Sequence, residues 1–132
     1  MEREGIIKGV KEVLVGALSV DEDEVKETSR LVEDLGAESI DFLDIIFRLE
    51  REFKIKIPRN ELFPSAIETF LESPDNRDDD GHLTDHGLRI FRQMFPDLDL
   101  SQFVKNPQVD LFNNLFTVKY LVDYLVRKIP ES

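Results

Sequence analysis

The chain contains no cysteine, which excludes disulfides, thiolate metal sites and cysteine nucleophiles and leaves the polypeptide without a thiol of its own. A cysteine-free chain suits the cytoplasm, the compartment expected here. Histidine is nearly as scarce: the two present both fall in one short segment, so no serine, histidine and carboxylate set suggests itself and the chain does not read as an enzyme. Long apolar runs are missing. Glu2, Arg3 and Glu4 open the sequence, and Lys8, Lys11 and Glu12 interrupt the apolar residues that follow, so neither a secretory signal nor a membrane span can be drawn. Basic charge is in deficit, with 17 Lys and Arg against 28 Asp and Glu and a formal net charge of -11. Such a surface repels nucleic-acid phosphates and anionic lipid and attracts basic protein patches.

What is present suits one soluble domain. With 132 residues, 41% hydrophobic and 34% charged, the chain is long enough to bury a core and too apolar for disorder. Between residues 4 and 18, Ile6, Ile7, Val10, Val13, Leu14, Ala17 and Leu18 recur at helical intervals, which predicts a helix with one buried stripe. The acidic stretch 19–38 reads as a long loop pinned by Val25, Leu31, Val32 and Leu35 and turned at Gly36. Residues 39–53 form a second helix with two stripes, Ile40, Leu43 and Phe47 on one and Phe42, Ile46, Leu49 and Phe53 on the other, so it is expected to be covered on more than one side; Pro58 closes the element.

Pro64, Pro74, Pro96 and Pro107 punctuate the region that follows, in which short helices are expected at 65–71, at 85–95 with Thr84 as cap and Pro96 as stop, and at 100–104. Thr117 then caps a terminal amphipathic helix carrying Val118, Leu121, Val122, Leu125 and Ile129. No segment alternates as a strand, and the fold class is all-α. The segment from Asn76 to Gly87, with Asp78, Asp80, Gly81 and Leu83 at calcium-loop spacing, lacks the closing glutamate because Gly87 stands there. His82 and His86 fall either side of the Thr84 cap, so a solvated acidic loop, with no metal, is the reading.

The remaining feature is a Gly-containing loop that delivers Ser39 to a helix start, where amide donors and the positive dipole end favour a phosphate ester. Local physics leaves open the plainer alternative that the serine is a helix cap. The run Val32-Glu33-Asp34-Leu35-Gly36-Ala37-Glu38-Ser39-Ile40-Asp41 resembles the attachment motif of acyl carrier proteins, with Glu38 and Ile40 in place of the usual aspartate and leucine. The resemblance covers about the first 58 residues and the last 16, and it implies a carrier-like helical bundle whose region 59–116 is an additional helical insertion within a single domain spanning 1–132. It implies a 4'-phosphopantetheine arm from coenzyme A on Ser39, a phosphopantetheinyl transferase (holo-carrier synthase) as partner, and acyl-loading and acyl-transfer enzymes that read Glu38, Asp41, Asp44 and Glu50.

Residues 41–47 and 53–58 are similar to the specialised carriers that supply long acyl chains for lipid A and lipopolysaccharide assembly. On that likeness the acyl chain lies in a cleft lined by Ile40, Leu43, Ile46, Phe47, Phe91 and Phe95. Arg48, Arg51, Lys54 and Lys56 dilute the acidity along the second helix, so generic fatty-acid synthase enzymes are expected to bind poorly. A monomer without membrane insertion is expected. The alternatives are an aminoacyl or peptidyl carrier and an unmodified helical interaction module.

Overall fold

A computed structural model describes residues 2–58, 61–63, 73–98, 100–101, 103–105 and 115–129, and the statements below concern these. They form four α-helices, α1 (Arg3–Leu18), α2 (Ser39–Phe53), α3 (Asp85–Met94) and α4 (Val118–Lys128), with single 3-10 turns at Glu22–Glu24 and Phe103–Lys105. No strand occurs among them, only isolated bridges between Arg30 and Thr117 and between Arg77 and Leu83.

Helix α1 turns Ile6, Val10, Val13 and Leu14 inward, as its periodicity requires, and packs against α2 and α4. Each such side chain contributes roughly 1.5–3 kcal/mol when fully buried. Its glycines let α2 approach: a Cβ on Gly9 would lie 2.6 Å from the Phe53 ring, and one on Gly16 would lie 2.7 Å from the Arg48 guanidinium. Helix α1 stops at Ser19, which is left-handed (φ 56°) and donates its N–H to Val15 O at 3.0 Å.

The acidic loop is tied down at the expected pins, Val25, Leu31 and Leu35, while Val32 is half-buried. Its backbone is also laced to the start of α4: Leu31 N–H donates to Phe116 O (3.0 Å), Val118 N–H to Ser29 O (2.9 Å) and Lys119 N–H to Glu27 O (2.9 Å). Thr117 then caps α4 by accepting from Tyr120 N–H at 3.2 Å. The buried Tyr120 hydroxyl donates to Leu62 O at 2.5 Å, and the Tyr124 hydroxyl donates to the Glu61 carboxylate, which Lys128 also pairs.

Helix α3 begins at its Thr84 cap, which accepts from Gly87 N–H at 3.0 Å, and ends before Pro96. Phe91 and Phe95 enter a row of rings in which Phe42 meets Phe63 (4.7 Å between centroids), Phe63 meets Phe116 (5.9 Å), Phe116 meets Phe95 (6.0 Å) and Phe95 meets Phe91 (5.4 Å).

Two expectations need correction. Of the helix expected at 100–104, Leu100 and Ser101 are not helical and the described residues form only the 3-10 turn Phe103–Lys105, since a segment of five residues is too short to offset the cost of nucleating an α-helix. Helix α2 is covered on one side only: Ile40, Leu43 and Phe47 face outward. Periodicity assigns side chains to faces but does not say which face meets another element. The helix expected at 65–71 lies outside the described residues.

Candidate functional site

The chain turns into α2 at Gly36, whose φ of 73° is the left-handed geometry glycine adopts without strain. Ala37 is buried and its N–H reaches Leu31 O at 2.9 Å, so the approach to the helix is fixed to the loop that α4 holds. Glu38, not Ser39, is the cap residue: its backbone is extended (φ -108°, ψ 168°), and the Asp41 carboxylate accepts its N–H at 2.8 Å in a capping box. Ser39 is thus the first helical residue, between exposed Glu38 and exposed Ile40. The cap position is filled by another residue, and the plainer reading of Ser39 as a cap does not describe this helix.

The other residues singled out in the sequence fall into separate groups. Ile40, Leu43 and Phe47 are 76%, 44% and 49% exposed on one face, whereas Ile46, Phe91 and Phe95 are buried in the core. The described structure therefore does not bring these six together around one open cleft. Asp44 pairs with Arg48 at 2.9 Å, an i, i+4 pair whose spacing is legible in the sequence. Glu50 Oε2 accepts Ile57 N–H at 2.9 Å and fastens the segment after α2, a bond across seven residues that no helical pattern announces.

In the acidic loop, Asp78 Oδ1 accepts from Asp80 N–H (3.0 Å) and His82 N–H (2.9 Å), and Gly81 turns the chain at φ 82°. No group of three metal-ligating side chains gathers among the described residues. Likewise, no helix among them is long and apolar enough to cross a membrane.

The head of α2 suits a phosphate ester on chemical grounds. Ser39 is the first residue of a 15-residue helix, at the positive end of its dipole, and a serine hydroxyl is an esterifiable group. Its neighbours in sequence are open to solvent.

Comparison with known proteins agrees with this chemistry. Residues 8–69 match the family model described as the phosphopantetheine attachment site. The acyl carrier protein of Wolinella succinogenes is 48% identical over 56 residues, which are 42% of this chain and 74% of that protein. The acyl carrier protein of a Sulfurovum species is 52% identical over 52 residues (39% and 69%), and that of Campylobacter lari 46% over 56 residues (42% and 73%). A helical bundle with a phosphopantetheine attachment region defines a carrier, not an enzyme. The chain belongs to the acyl carrier protein family, and its cofactor is covalent 4'-phosphopantetheine.

Proposed function

We propose that Ser39 is the residue that bears the 4'-phosphopantetheine arm, and that the chain is a specialised carrier of long acyl chains for lipid A, lipopolysaccharide or related lipid assembly. The observation that carries the first part is the position of Ser39 at the head of α2, with the capping role already filled by Glu38 and Asp41. Partners on this reading are a phosphopantetheinyl transferase and the acyl-loading and acyl-transfer enzymes, met through Glu38, Asp41 and Asp44. Glu50 belongs to the same set: the Ile57 amide engages one of its carboxylate oxygens, as the Glu38 amide engages one of Asp41 and Arg48 one of Asp44.

The second part is supported by the likeness of residues 41–47 and 53–58 to specialised carriers, and by the buried rings of Phe91, Phe95 and Phe116 in the described part of the insertion. The acyl chain would run from Ile46 along the row of rings towards Phe95 and Phe91. Ile40, Leu43 and Phe47, being outside, fit a partner's surface instead. At roughly 0.8 kcal/mol per buried methylene, a long chain gains enough to part those rings. The carrier unit is one domain, since α4 returns to pack on α1 after the insertion.

Intact mass after incubation with coenzyme A and a broad-specificity phosphopantetheinyl transferase tests the site. One added arm is expected on the native chain and none on Ser39→Ala; an arm on the variant would place the site elsewhere. Hydrogen exchange of holo and long-chain acyl forms tests the cargo path, with altered protection expected at Phe91 and Phe95. Identical exchange in the two forms would remove the insertion from the path.

A further inference from the structure

Helix α3 is held to the molecule differently from the other helices. Helix α1 packs against α2 and α4, whereas α3 has no comparable packing against another helix among the described residues. Its start is bonded within the insertion: Thr84 N–H donates to Asn76 O at 2.9 Å, the Thr84 hydroxyl to Asp75 O at 2.6 Å, and Asp78 N–H to His82 O at 2.9 Å. Its far end meets the bundle through a ring and a carboxylate. Phe95 stands edge-on to Phe116 at 6.0 Å, and two residues later Asp97, with a side chain only 13% exposed, accepts three hydrogen bonds of 2.8, 3.0 and 3.1 Å from the Arg127 guanidinium of α4. The Tyr124 ring, 5.4 Å away, aims that guanidinium. Among the described residues this is the one ion pair that joins 73–98 to the bundle.

We infer that α3 is a lid over the row of rings and that the Arg127–Asp97 pair is its latch. What parts on opening is the contact of Phe95 with Phe116. Phe116 stays behind, because its carbonyl accepts Leu31 N–H and the next two residues of the chain are bound to the acidic loop, Val118 N–H donating to Ser29 O at 2.9 Å. The bonds between 75–78 and the head of α3 keep the lid in one piece as it moves. An apolar chain entering beneath Phe95 replaces the ring contact with its own methylenes, but nothing apolar replaces the ion pair, so the latch decides whether the lid lifts. Release is reversible in water: the Arg127 side chain is already 46% exposed and is readily hydrated, whereas α1 cannot leave α2 and α4 without exposing the core. This rests on the proposed cargo path only in naming an acyl chain as what enters.

Backbone hydrogen exchange of the full, unmodified chain tests the latch without arm or cargo. Arg127→Gln should speed exchange of the amides from Leu88 to Phe95 about three- to tenfold, the scale of one two-point ion pair, and leave those of α1 unchanged. Asp97→Asn makes the same comparison from the lid side should Arg127→Gln fold poorly. Arg3→Gln, which removes the pairs with Glu27 and Asp123, is the control and should leave α3 as it was. Because the chain has no cysteine, Asp97→Cys with Arg127→Cys can be joined by a short bismaleimide. Unjoined, that variant should admit diphenylhexatriene, a neutral rod that fluoresces out of water; joined, it should exclude it. Equal acceleration in α1 and α3 would make the pair an ordinary support of the whole fold and overturn the inference. Unchanged exchange in both, acceleration of α3 by Arg3→Gln, or dye entry into the joined form would overturn it as well. The long-chain acyl form separates the latch from the cargo path. A working latch with no change of protection at Phe91 and Phe95 on acylation sinks the path alone, and changed protection there without any effect of the latch variants sinks the latch alone.

Discussion

Two glycines inside helices show how the same substitution can have opposite consequences. Replacing glycine by alanine in a helix gains up to about 1 kcal/mol from backbone propensity. At Gly87 the new Cβ would lie 2.3 Å from the backbone oxygen of Asn76, which also accepts Thr84 N–H at 2.9 Å, so neither side can yield. Gly87→Ala should therefore lower stability by about 2 kcal/mol, within the range for overpacking. At Gly9 the obstacle is the tip of the Phe53 ring at 2.6 Å, which can swing, and the net change should stay within about 1 kcal/mol. Urea unfolding of the two variants checks this, and a larger loss at Gly9 than at Gly87 would reject the argument. At this scale, local chemistry was legible in the sequence wherever its cause is local: Gly36 as the turn, Thr84 and Thr117 as caps. The capping of α2 by Glu38 and the tether on Glu50 were not, because each depends on which of several acids the finished backbone brings within reach.

Among the elements, α4 shows most clearly how the region after α2 is fastened. Tyr120 and Tyr124 are the chain's two tyrosines and both are buried. Tyr120→Phe would leave Leu62 O without its buried donor and should cost about 1–3 kcal/mol; Tyr124→Phe should cost less, because Glu61 keeps Lys128. Burial, first, and the neighbouring Asp97 push the Tyr120 hydroxyl far above its ordinary value; burial, then the bond to Glu61, do the same for Tyr124. Both groups favour the neutral form when folded, so their contribution is complete below the unfolded pKa of about 10 and is lost as pH rises above it. The near-ultraviolet tyrosinate band should thus be nearly absent at pH about 11 and appear together with loss of helix. Smooth ionisation centred near pH 10 in a folded protein would contradict the burial of these hydroxyls. Burial opposes ionisation of Glu61, but Tyr124 and then Lys128 outweigh it and hold the carboxyl below its ordinary range. Its contribution is present above the unfolded value of about 4.3 and is lost on acidification. The four helices were legible as elements because each carries a stripe or a cap, whereas the turn at Phe103–Lys105 is too short for periodicity to define its type.

Across the whole molecule, stability and recognition reside in different phenylalanines of similar appearance in the sequence. Phe116 touches the rings of Phe63, Phe95 and Tyr120, so it joins the insertion to α4 at the point where the chain returns to the carrier bundle. Phe47 stands on the open face of α2 and is half exposed. Nothing in the sequence separates the two, since a ring row assembled from residues between 42 and 120 depends on tertiary contacts that no local window contains. The separation has a measurable form. Phe116→Ala should cost about 3–5 kcal/mol, the range for a truncated core ring, while Phe47→Ala should change stability by no more than about 0.5 kcal/mol. If the insertion and the bundle share one core, Phe116→Ala lowers the midpoint of a single unfolding transition and leaves it single. Were the insertion an independent unit, the same substitution would instead split the melt in two, with the α1 and α2 signals unfolding near the native temperature. Phe47→Ala should leave that melt in place, because its half-exposed ring contributes little to the chain's own core.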